Sequence, residues 1–513
     1  MNRPYIWYGG YMAVVFGLAW WFALPEEDAC ILFRYAENLA ETGRISYNPG
    51  GPRTEGATDF VYMVVLAGWR RLGGDLFLGS LILNGLAALS IFRTLQGGPR
   101  GDRPDSSMWK LVVLLLILPQ TMASVKGFSA LVMMATLAAV WRLYQSQRYL
   151  LMLAAALGAC LLRPDALVAT GPLLAGWVIT SRKDPSLLRL RLTHLTLICI
   201  LPGLMYVGWR ATYFGEWFPL PFYVKSQVAE RVLGLFDPES LRMHTFAIGF
   251  DLLPAGLLAL IAGGGRILHT HRLVLIAYGL IPLIFYAVMS QAMNAGFRFQ
   301  GSMYLAVWIW AWEQWQQAPS GVRGWLRGLA LVLILKAGYR QITVFQSIIA
   351  DTYHQNTWYL ARALRPYSHL HMAVTEAGRL PYYAGWRATD IWGLNDARYA
   401  RRLIQPEDLA ADPPALLVLD PEDDSLLTYP SPTRPHTRRT WDHMVDNARL
   451  FARNTGTYEG WLVPFCRETT LPPGWIPPCD GRRDLYLIRT DLPETEALRK
   501  ILQQHGAVRT TEW

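Results

Sequence analysis

The stretch Pro25-Glu-Glu-Asp-Ala-Cys-Ile-Leu-Phe-Arg-Tyr-Ala-Glu-Asn-Leu-Ala-Glu-Thr-Gly43 follows directly on the apolar run Tyr5 to Leu24. That run is long enough to cross a bilayer as a helix, which needs about 20 apolar residues. Its flank is only weakly basic and no small-residue cleavage site follows, which favours a retained helix over a signal peptide. Three acids, Glu26 to Asp28, therefore stand where the first membrane helix is expected to end. Apolar residues at helical spacing then predict a second helix with one buried face: Ala29, Leu32, Ala36 and Leu39.

The acids at the start of this second helix have a simple explanation in helix capping, because a helix N-terminus favours a carboxylate. Capping accounts for one acid and leaves the others unexplained. In the same external segment, Glu55 and Asp59 are four residues apart, a spacing that would let them face one pocket. Composition alone favours the other interpretation, a solvated acidic loop.

The composition of the chain excludes several classes of protein. Of its 513 residues, 52% are hydrophobic and 17% are charged, whereas a soluble domain has about 25% charged residues. This excludes a disordered chain and a wholly soluble enzyme, and the 5 cysteines exclude a disulfide scaffold. The net charge of +9 comes without a dense Lys/Arg block. We therefore expect membrane lipid, and no nucleic acid, as a partner.

Further apolar runs predict membrane crossings at 76–93, 109–121, 127–143, 149–162, 166–180, 193–210, 246–264, 271–290, 299–315 and 323–337. The basic segment Ser181 to Arg191 is expected inside the cell. Counting from it places the other Arg-rich short loops inside too. With the N-terminus also inside, this requires that Phe60 to Trp69 lies along the outer surface and does not cross. The predicted fold class is a mainly α polytopic membrane protein with about eleven transmembrane helices. If Phe60 to Trp69 crosses instead, there is a twelfth helix and the C-terminal region lies inside.

The C-terminal region differs in character from the rest. Residues 1–339 form the predicted membrane module, with a first external loop at 25–75, and residues 340–513 form an extracytoplasmic α/β domain. Apolar runs there shorten to strand length, as in Ala415 to Asp420 and Asp484 to Arg489, between Pro- and Gly-rich turns. Cys466 and Cys479 both lie in this domain. A disulfide between them fits an oxidising compartment, and two unpaired thiols are the alternative.

The order of motifs along the chain resembles a known family. Glu27 to Leu39, then Asn48-Pro-Gly50 and Glu55-Gly-Ala-Thr-Asp-Phe60, resemble the first external loop of the GT-C glycosyltransferase superfamily. The likeness is greatest to the branch that includes the mycobacterial terminal arabinofuranosyltransferases. Later matches follow in order over most of the chain: Leu161-Leu-Arg-Pro-Asp-Ala166, Trp209 to Lys225, Ala295-Gly-Phe-Arg-Phe299, Val374 to Tyr383 and Trp392-Gly-Leu-Asn-Asp396.

The chain also departs from the family pattern. Glu27 stands where the family has its first Asp, and Asp59 where it has Asn. The segment Val125 to Ala130 lacks the family's acid, and Met293-Asn-Ala-Gly296 replaces a Gly-Asp-Trp element before Arg298. These changes concern the sugar and acceptor contacts more than the class of reaction.

The resemblance implies transfer of a single sugar, arabinofuranose in the named branch, from a polyprenyl-phosphate donor. The acceptor would be a glycan or glycolipid of the cell envelope, outside the bacterial inner membrane. Asp28 aligns with the family's retained Asp and is the predicted general base; Glu27 is the second candidate, for acceptor hydroxyls or a cation. A single base implies inversion at the anomeric carbon, whereas Glu55 or Asp59 acting as a nucleophile would imply retention.

The departing phosphate needs positive charge at the outer interface. The predicted phosphate ligands are Arg163, Arg210, Lys225 and Arg298, with snorkelling to lipid headgroups as the alternative for each. The predicted acceptor or sugar contacts are Arg34, Asn38, Glu55 and Asp59. No His/Cys ligand cluster appears, so no resident metal is expected, and a divalent cation between Asp28 and phosphate stays open.

Two other functions compete with this interpretation. A polyprenyl-linked glycan ligase would use similar charges. A lipid-glycan transporter or flippase is disfavoured because the charges inside the predicted helices lie near helix ends, and because no internal repeat is visible.

Overall fold

The computed structural model describes residues 3–96, 120–227, 273–289, 294–317, 354–420, 438–467 and 481–513, with isolated residues and short groups at 241–260 and 335–350. Two long apolar stretches in this part of the chain, Leu76–Thr94 and Pro185–Phe214, have the length and hydropathy of membrane spans. A third arises if the bent pair at residues 8–42 is one span. The molecule is therefore a mainly helical membrane protein, and the number of about eleven crossings stays a prediction.

The N-terminal helices follow the predicted apolar runs closely. They are α1 (Arg3–Phe22), α2 (Glu27–Thr42), α3 (Phe60–Arg71), α4 (Leu76–Gln96), α5 (Ala130–Gln145), α6 (Tyr149–Leu162) and α7 (Ala166–Ile179). After them come α8 (Pro185–Phe214, with a π-turn at Thr196–Ile200), α9 (Leu220–Gln227), α10 (Leu275–Val288) and α11 (Gly301–Gln317). The predicted crossings at 109–121, 246–264 and 323–337 lie largely or wholly outside the described residues.

The chain turns by 87° between α1 and α2. Pro25 lies at this break, where its missing N–H and its restriction on the preceding residue end a helix. The next helix, α3, has 12 residues and is about 18 Å long, too short for a hydrocarbon core of about 30 Å. Both features agree with an external segment that leaves the membrane after α1 and returns at α4.

The C-terminal region contains a six-stranded sheet in the order β2-β1-β3-β5-β4-β6. Its strands are β1 (His371–Val374), β2 (Arg387–Asp390), β3 (Leu416–Leu419), β4 (Tyr458–Pro464), β5 (Arg483–Arg489) and β6 (Val508–Thr510). The first three are parallel and the others are antiparallel. The predicted strand runs are present as β3 and β5. Strand β3 is apolar throughout because both of its faces are buried.

Helices accompany this sheet as α12 (Asn356–Leu364), α13 (Arg379–Ala384), α14 (Pro406–Ala410), α15 (Arg438–Thr455) and α16 (Thr495–Gln504). Cys466, just after β4, is disulfide-bonded, and Cys479 lies outside the described residues. Cys30, Cys160 and Cys199 are free thiols.

The first external loop docks against the edge of the sheet. The Asn48 amide donates to the Ala388 carbonyl (2.8 Å) and accepts from the Ala388 N–H (2.9 Å), so it pairs like one more strand with β2. Arg34 donates to the Asn48 side chain (2.8 Å) and to the Trp386 carbonyl (2.7 Å). These contacts cover an edge strand that would otherwise present unpaired backbone groups.

The turn after β2 is held by one buried carboxylate. Asp390 accepts hydrogen bonds from the N–H groups of Trp392, Gly393 and Asn395, at 3.0, 3.1 and 2.9 Å. Burial raises the pKa of Asp390 to about 6, and the hydrogen bonds oppose that rise. The turn lies so close to the first external loop that a side chain at Gly56 would collide with the Leu394 carbonyl and the Asn395 amide. Only glycine fits at that position.

We expect Asn48→Ala to loosen the sheet from the first external loop. The change removes both hydrogen bonds to β2 and costs about 2 kcal/mol of docking free energy. Limited trypsin digestion in detergent should then release a C-terminal fragment earlier than in the wild type. The exposed Asn454 provides the matched control, Asn454→Ala, and equal digestion rates for the two variants would contradict the docking role.

Asp390 also predicts a pH dependence of stability. Its pKa of about 6 in the folded protein exceeds the unfolded value of about 3.9, so the folded state binds the proton more tightly. The stability that this group contributes is therefore present at about pH 4 and is lost as the pH rises to about 6. The melting temperature of the wild type minus that of Asp390→Asn should shrink across this window, and a constant difference would contradict the assignment.

Candidate functional site

A cavity of about 160 Å³ lies between the first external loop, the α6–α7 connection and the turn after β2. Four of the predicted site residues line it: Asp28, Asp59, Arg163 and Arg298. They come from segments far apart in the chain, since Asp28 and Arg298 are 270 positions apart. The cavity therefore combines two carboxylates and two guanidinium groups among mostly apolar walls.

Asp28 is the second residue of α2, immediately after the 87° bend. Its side chain is 42% exposed, and one oxygen accepts a hydrogen bond from Arg298 Nη2 at 2.9 Å. The N-terminal position on a helix favours its ionised form. Asp28 is thus a solvent-accessible carboxylate held beside a cation.

Arg298 lies in the 3₁₀ turn Ala295–Gln300, which Asn294 braces by hydrogen bonds to Phe299 and Gln300. The guanidinium carbon lies 4.0 Å from the centre of the Phe128 ring. Phe128 belongs to the segment that lacks the family's acid, so an aromatic ring packs against this cation from a segment where the pattern has a carboxylate. A cation–π contact orients the guanidinium without neutralising its charge.

Arg163 is oriented by its own loop. It forms a bidentate pair with Asp165 (3.0 and 2.7 Å), and Tyr286 donates to the same carboxylate at 2.5 Å. Its guanidinium lies over Phe299, 5.4 Å from the ring centre. Fixed in this way, Arg163 presents a preorganised cation to the cavity at low entropic cost.

A smaller cavity of about 20 Å³ shares Arg163, Arg298 and Phe299 with the first. It continues between α5 and α7 among apolar side chains such as Met134 and Ala169. The two guanidinium groups therefore line both cavities.

The other carboxylate of the cavity is Asp59. It lies at the start of α3 and accepts a short hydrogen bond from Ser129, at the start of α5. This contact joins the first external loop to the segment that also carries Phe128. Within the described residues, no group of three or more His, Cys, Asp or Glu side chains is placed to hold a metal ion.

The remaining predicted residues lie outside the cavity lining. Glu55 and Arg210 form a buried ion pair with each other, with Arg210 Nε 2.8 Å from the carboxylate. Burial raises the pKa of Glu55, and the Arg210 hydrogen bond and charge oppose that rise. The pair fastens the end of α8 to the first external loop. The side chain of Lys225 lies outside the described residues, although its backbone belongs to α9.

Three further predicted residues also form hydrogen bonds away from the cavity: Arg34, Asn38 and Glu27. Asn38 donates to the carbonyls of Ser46 and Tyr47, each at 2.9 Å, and Arg34 holds the edge of the sheet. Glu27 accepts from the Gly378 N–H of the C-terminal region at 2.5 Å. All three shape the loop and its docking, and they do not line the cavity.

Three functional neighbours were not predicted from the sequence. Asp165 orients Arg163, and its place in the Arg-Pro-Asp motif was the available signal. Leu394, which contributes a wall of the cavity from the C-terminal region, lies in the Gly-Leu-Asn-Asp motif. Nothing in the sequence around Phe128 indicated its role, because its contact with Arg298 forms only in the folded protein.

The comparisons with known proteins follow the division of the chain. A family model described as a domain of unknown function, DUF8728, matches residues 340–464. No curated protein matches the chain. Among solved structures, apo ArnT from Cupriavidus metallidurans aligns with a TM-score of 0.59 and 13% identity, covering 94% of this chain and 98% of that chain.

A second structure, ArnT from Cupriavidus metallidurans bound to undecaprenyl phosphate, aligns with a TM-score of 0.54 and 12% identity. It covers 94% of this chain and 97% of that one. At this identity the likeness is one of fold, and the described part of this chain has a mainly helical fold similar to that of ArnT.

Proposed function

We propose that the protein is a membrane glycosyltransferase that moves a single sugar from a polyprenyl-phosphate donor to a hydroxyl of a cell-envelope glycan. The observation that carries the proposal is the convergence of Asp28, Arg163 and Arg298 on one cavity. The ArnT structure with undecaprenyl phosphate supports a lipid-phosphate donor.

In the proposed reaction, Asp28 takes the proton of the acceptor hydroxyl. The hydroxyl oxygen then attacks the anomeric carbon as the bond from that carbon to the phosphate oxygen breaks. The products are a glycoside of inverted configuration and a polyprenyl phosphate. The phosphate gains a negative charge as it leaves, so its attraction to Arg163 and Arg298 grows towards the transition state.

The contact between Asp28 and Arg298 implies that the donor binds before Asp28 reaches the acceptor hydroxyl. The two side chains form an ion pair at 2.9 Å. A donor phosphate competes with Asp28 for the same guanidinium. Binding of the donor therefore releases the carboxylate towards the acceptor hydroxyl.

Several features support an extracytoplasmic site in a bacterial inner membrane. Cys466 is disulfide-bonded, as in an oxidising compartment. The basic segment that begins at Ser181 follows α7 at the end opposite Arg163, as the positive-inside rule requires. Trp20 and Trp21, exposed at the end of α1 near the cavity, fit an interfacial aromatic belt.

The motif resemblance makes arabinofuranose the first sugar to test, and an envelope glycan or glycolipid the first class of acceptor. Purified protein in detergent would be given radiolabelled polyprenyl-phosphate pentoses and hexoses with extracted envelope glycans. Transfer from one donor supports the proposal and identifies the sugar. Transfer of a whole glycan from a diphosphate carrier alone would favour the ligase function, and movement of lipid-linked sugar between leaflets without transfer would favour a flippase.

We expect Asp28→Asn to reduce transfer at least about 100-fold, because a positioned base contributes about 10²–10⁴-fold. The change keeps the size of the side chain and its contact with Arg298. Initial rates in the transfer assay measure it. Glu41→Gln is the matched control, since Glu41 is exposed on the same helix; wild-type rates for Asp28→Asn would refute the assignment of the base.

We expect Arg298→Met to weaken binding of undecaprenyl phosphate about tenfold or more, since a charge-assisted hydrogen bond is worth about 1.5–3 kcal/mol. Arg298→Lys should lose less, because it keeps the charge without the planar fork. Binding is measured by quenching of intrinsic tryptophan fluorescence. The exposed Arg71 provides the control variant Arg71→Met, and unchanged affinity for Arg298→Met would exclude a phosphate contact.

A further inference from the structure

The external domain reaches the start of α2 through one buried arginine. Arg379, the first residue of α13, is 4% exposed. Its Nε and Nη2 both donate to the Pro25 carbonyl, at 3.2 and 2.9 Å, and its Nη1 donates to the Gln355 side chain at 2.6 Å. The guanidinium thus binds the backbone at the bend that precedes α2.

A second contact runs in the opposite direction. The Glu27 carboxylate accepts hydrogen bonds from the backbone N–H groups of Gly378 and Arg379. Glu27, the first residue of α2, therefore binds the start of α13. Arg379, the first residue of α13, binds the bend before α2. The two segments are in close contact, because a side chain at Gly378 would collide with the Glu27 backbone. We call these contacts the Arg379–Glu27 clamp.

The charges of the clamp support one another. Burial raises the pKa of Glu27, and the charge of Arg379 opposes the rise. Arg379 therefore helps to keep Glu27 ionised, and the ionised carboxylate is the form that caps two N–H groups. Removal of either charge weakens both directions of the clamp.

Asp28 is the next residue after Glu27, whereas Arg379 does not line the cavity. We propose that Arg379 is a positioning residue for the transfer reaction, which fixes the bend at Pro25 and through it the position of Asp28. The inference rests on the proposed function.

Gln355 supports Arg379 from behind. Its backbone forms an isolated bridge with Cys466, and the next residue, Asn356, donates to the Phe465 carbonyl at 3.2 Å. The segment just after β4, which contains the disulfide-bonded Cys466, therefore fixes the backbone of Gln355. The Gln355 side chain in turn accepts the hydrogen bond from Arg379. A rigid support of this kind is what a positioning residue needs, since displacement of a catalytic group by about 1 Å can cost about 100-fold in rate.

The test uses the full-length protein in detergent with Arg379→Met, Arg379→Lys and Gln355→Leu. We expect Arg379→Met to lower kcat about 100-fold and to leave KM for the donor within about threefold, because Arg163 and Arg298 still bind the phosphate. Arg379→Lys keeps the charge but not the fork, and should recover about tenfold of the loss. Gln355→Leu should lower kcat several-fold at unchanged KM.

Arg499→Met is the control for a purely structural effect. Arg499 pairs with Glu459 and Glu496 in the same domain, away from α2. It should lower the melting temperature and leave kcat unchanged. If Arg379→Met behaves in the same way, the positioning role is refuted. If Arg379→Met does not fold, Gln355→Leu decides: an unchanged kcat refutes the proposal.

A second measurement does not depend on catalysis. Amide hydrogen exchange over residues 27–36 should be about tenfold faster in Arg379→Met than in Arg499→Met, while binding of undecaprenyl phosphate is retained. Equal exchange would refute the clamp even if the wild type transfers sugar. Absence of transfer by the wild type would refute the proposed function, and the exchange rates would still decide whether Arg379 holds α2.

Discussion

The Arg379–Glu27 clamp is the interaction that couples the C-terminal region to the lining of the cavity. It joins that region to the residues that lie between α1 and α2, where the chain turns by 87°. A guanidinium and a carboxylate at such a place are costly unless their hydrogen bonds are satisfied. Here each is paired with backbone groups of the opposite element. The C-terminal region consequently packs against the residues that line the cavity, and its Leu394 contributes a wall.

The two cavity arginines are each paired with a carboxylate and supported by an aromatic residue. Arg163 is held by Asp165 and Tyr286, and Arg298 by the Phe128 ring and by Asp28. An aromatic ring orients a guanidinium without adding a counter-charge. The contact with Phe128 therefore leaves Asp28 as the carboxylate that is paired with Arg298. Phe128 lies in the segment where the pattern that the chain resembles has an acid.

The buried Glu55–Arg210 pair illustrates how a site residue and a fold residue differ. Both were predicted to contact substrate, and both are charged residues of the external segments. The structure pairs them with each other outside the cavity lining. A buried ion pair of this kind fixes the relative position of two segments, because breaking it leaves a buried charge unpaired. Their contribution to the site is to fasten the first external loop to α8.

The sequence by itself determined the apolar helices, the helices α2 and α3, the strand-length runs of β3 and β5, and four candidate charges that line the cavity, Asp28, Asp59, Arg163 and Arg298. Local periodicity and composition are enough for these, because a helix or strand records its buried face in its own residues. Only the tertiary structure decided which charges meet. Which carboxylate an arginine meets, Asp28 for Arg298 and Glu55 for Arg210, depends on residues more than a hundred positions away. Side-chain pairing across the chain leaves no local pattern, and it is this pairing that turns the charged residues into a site.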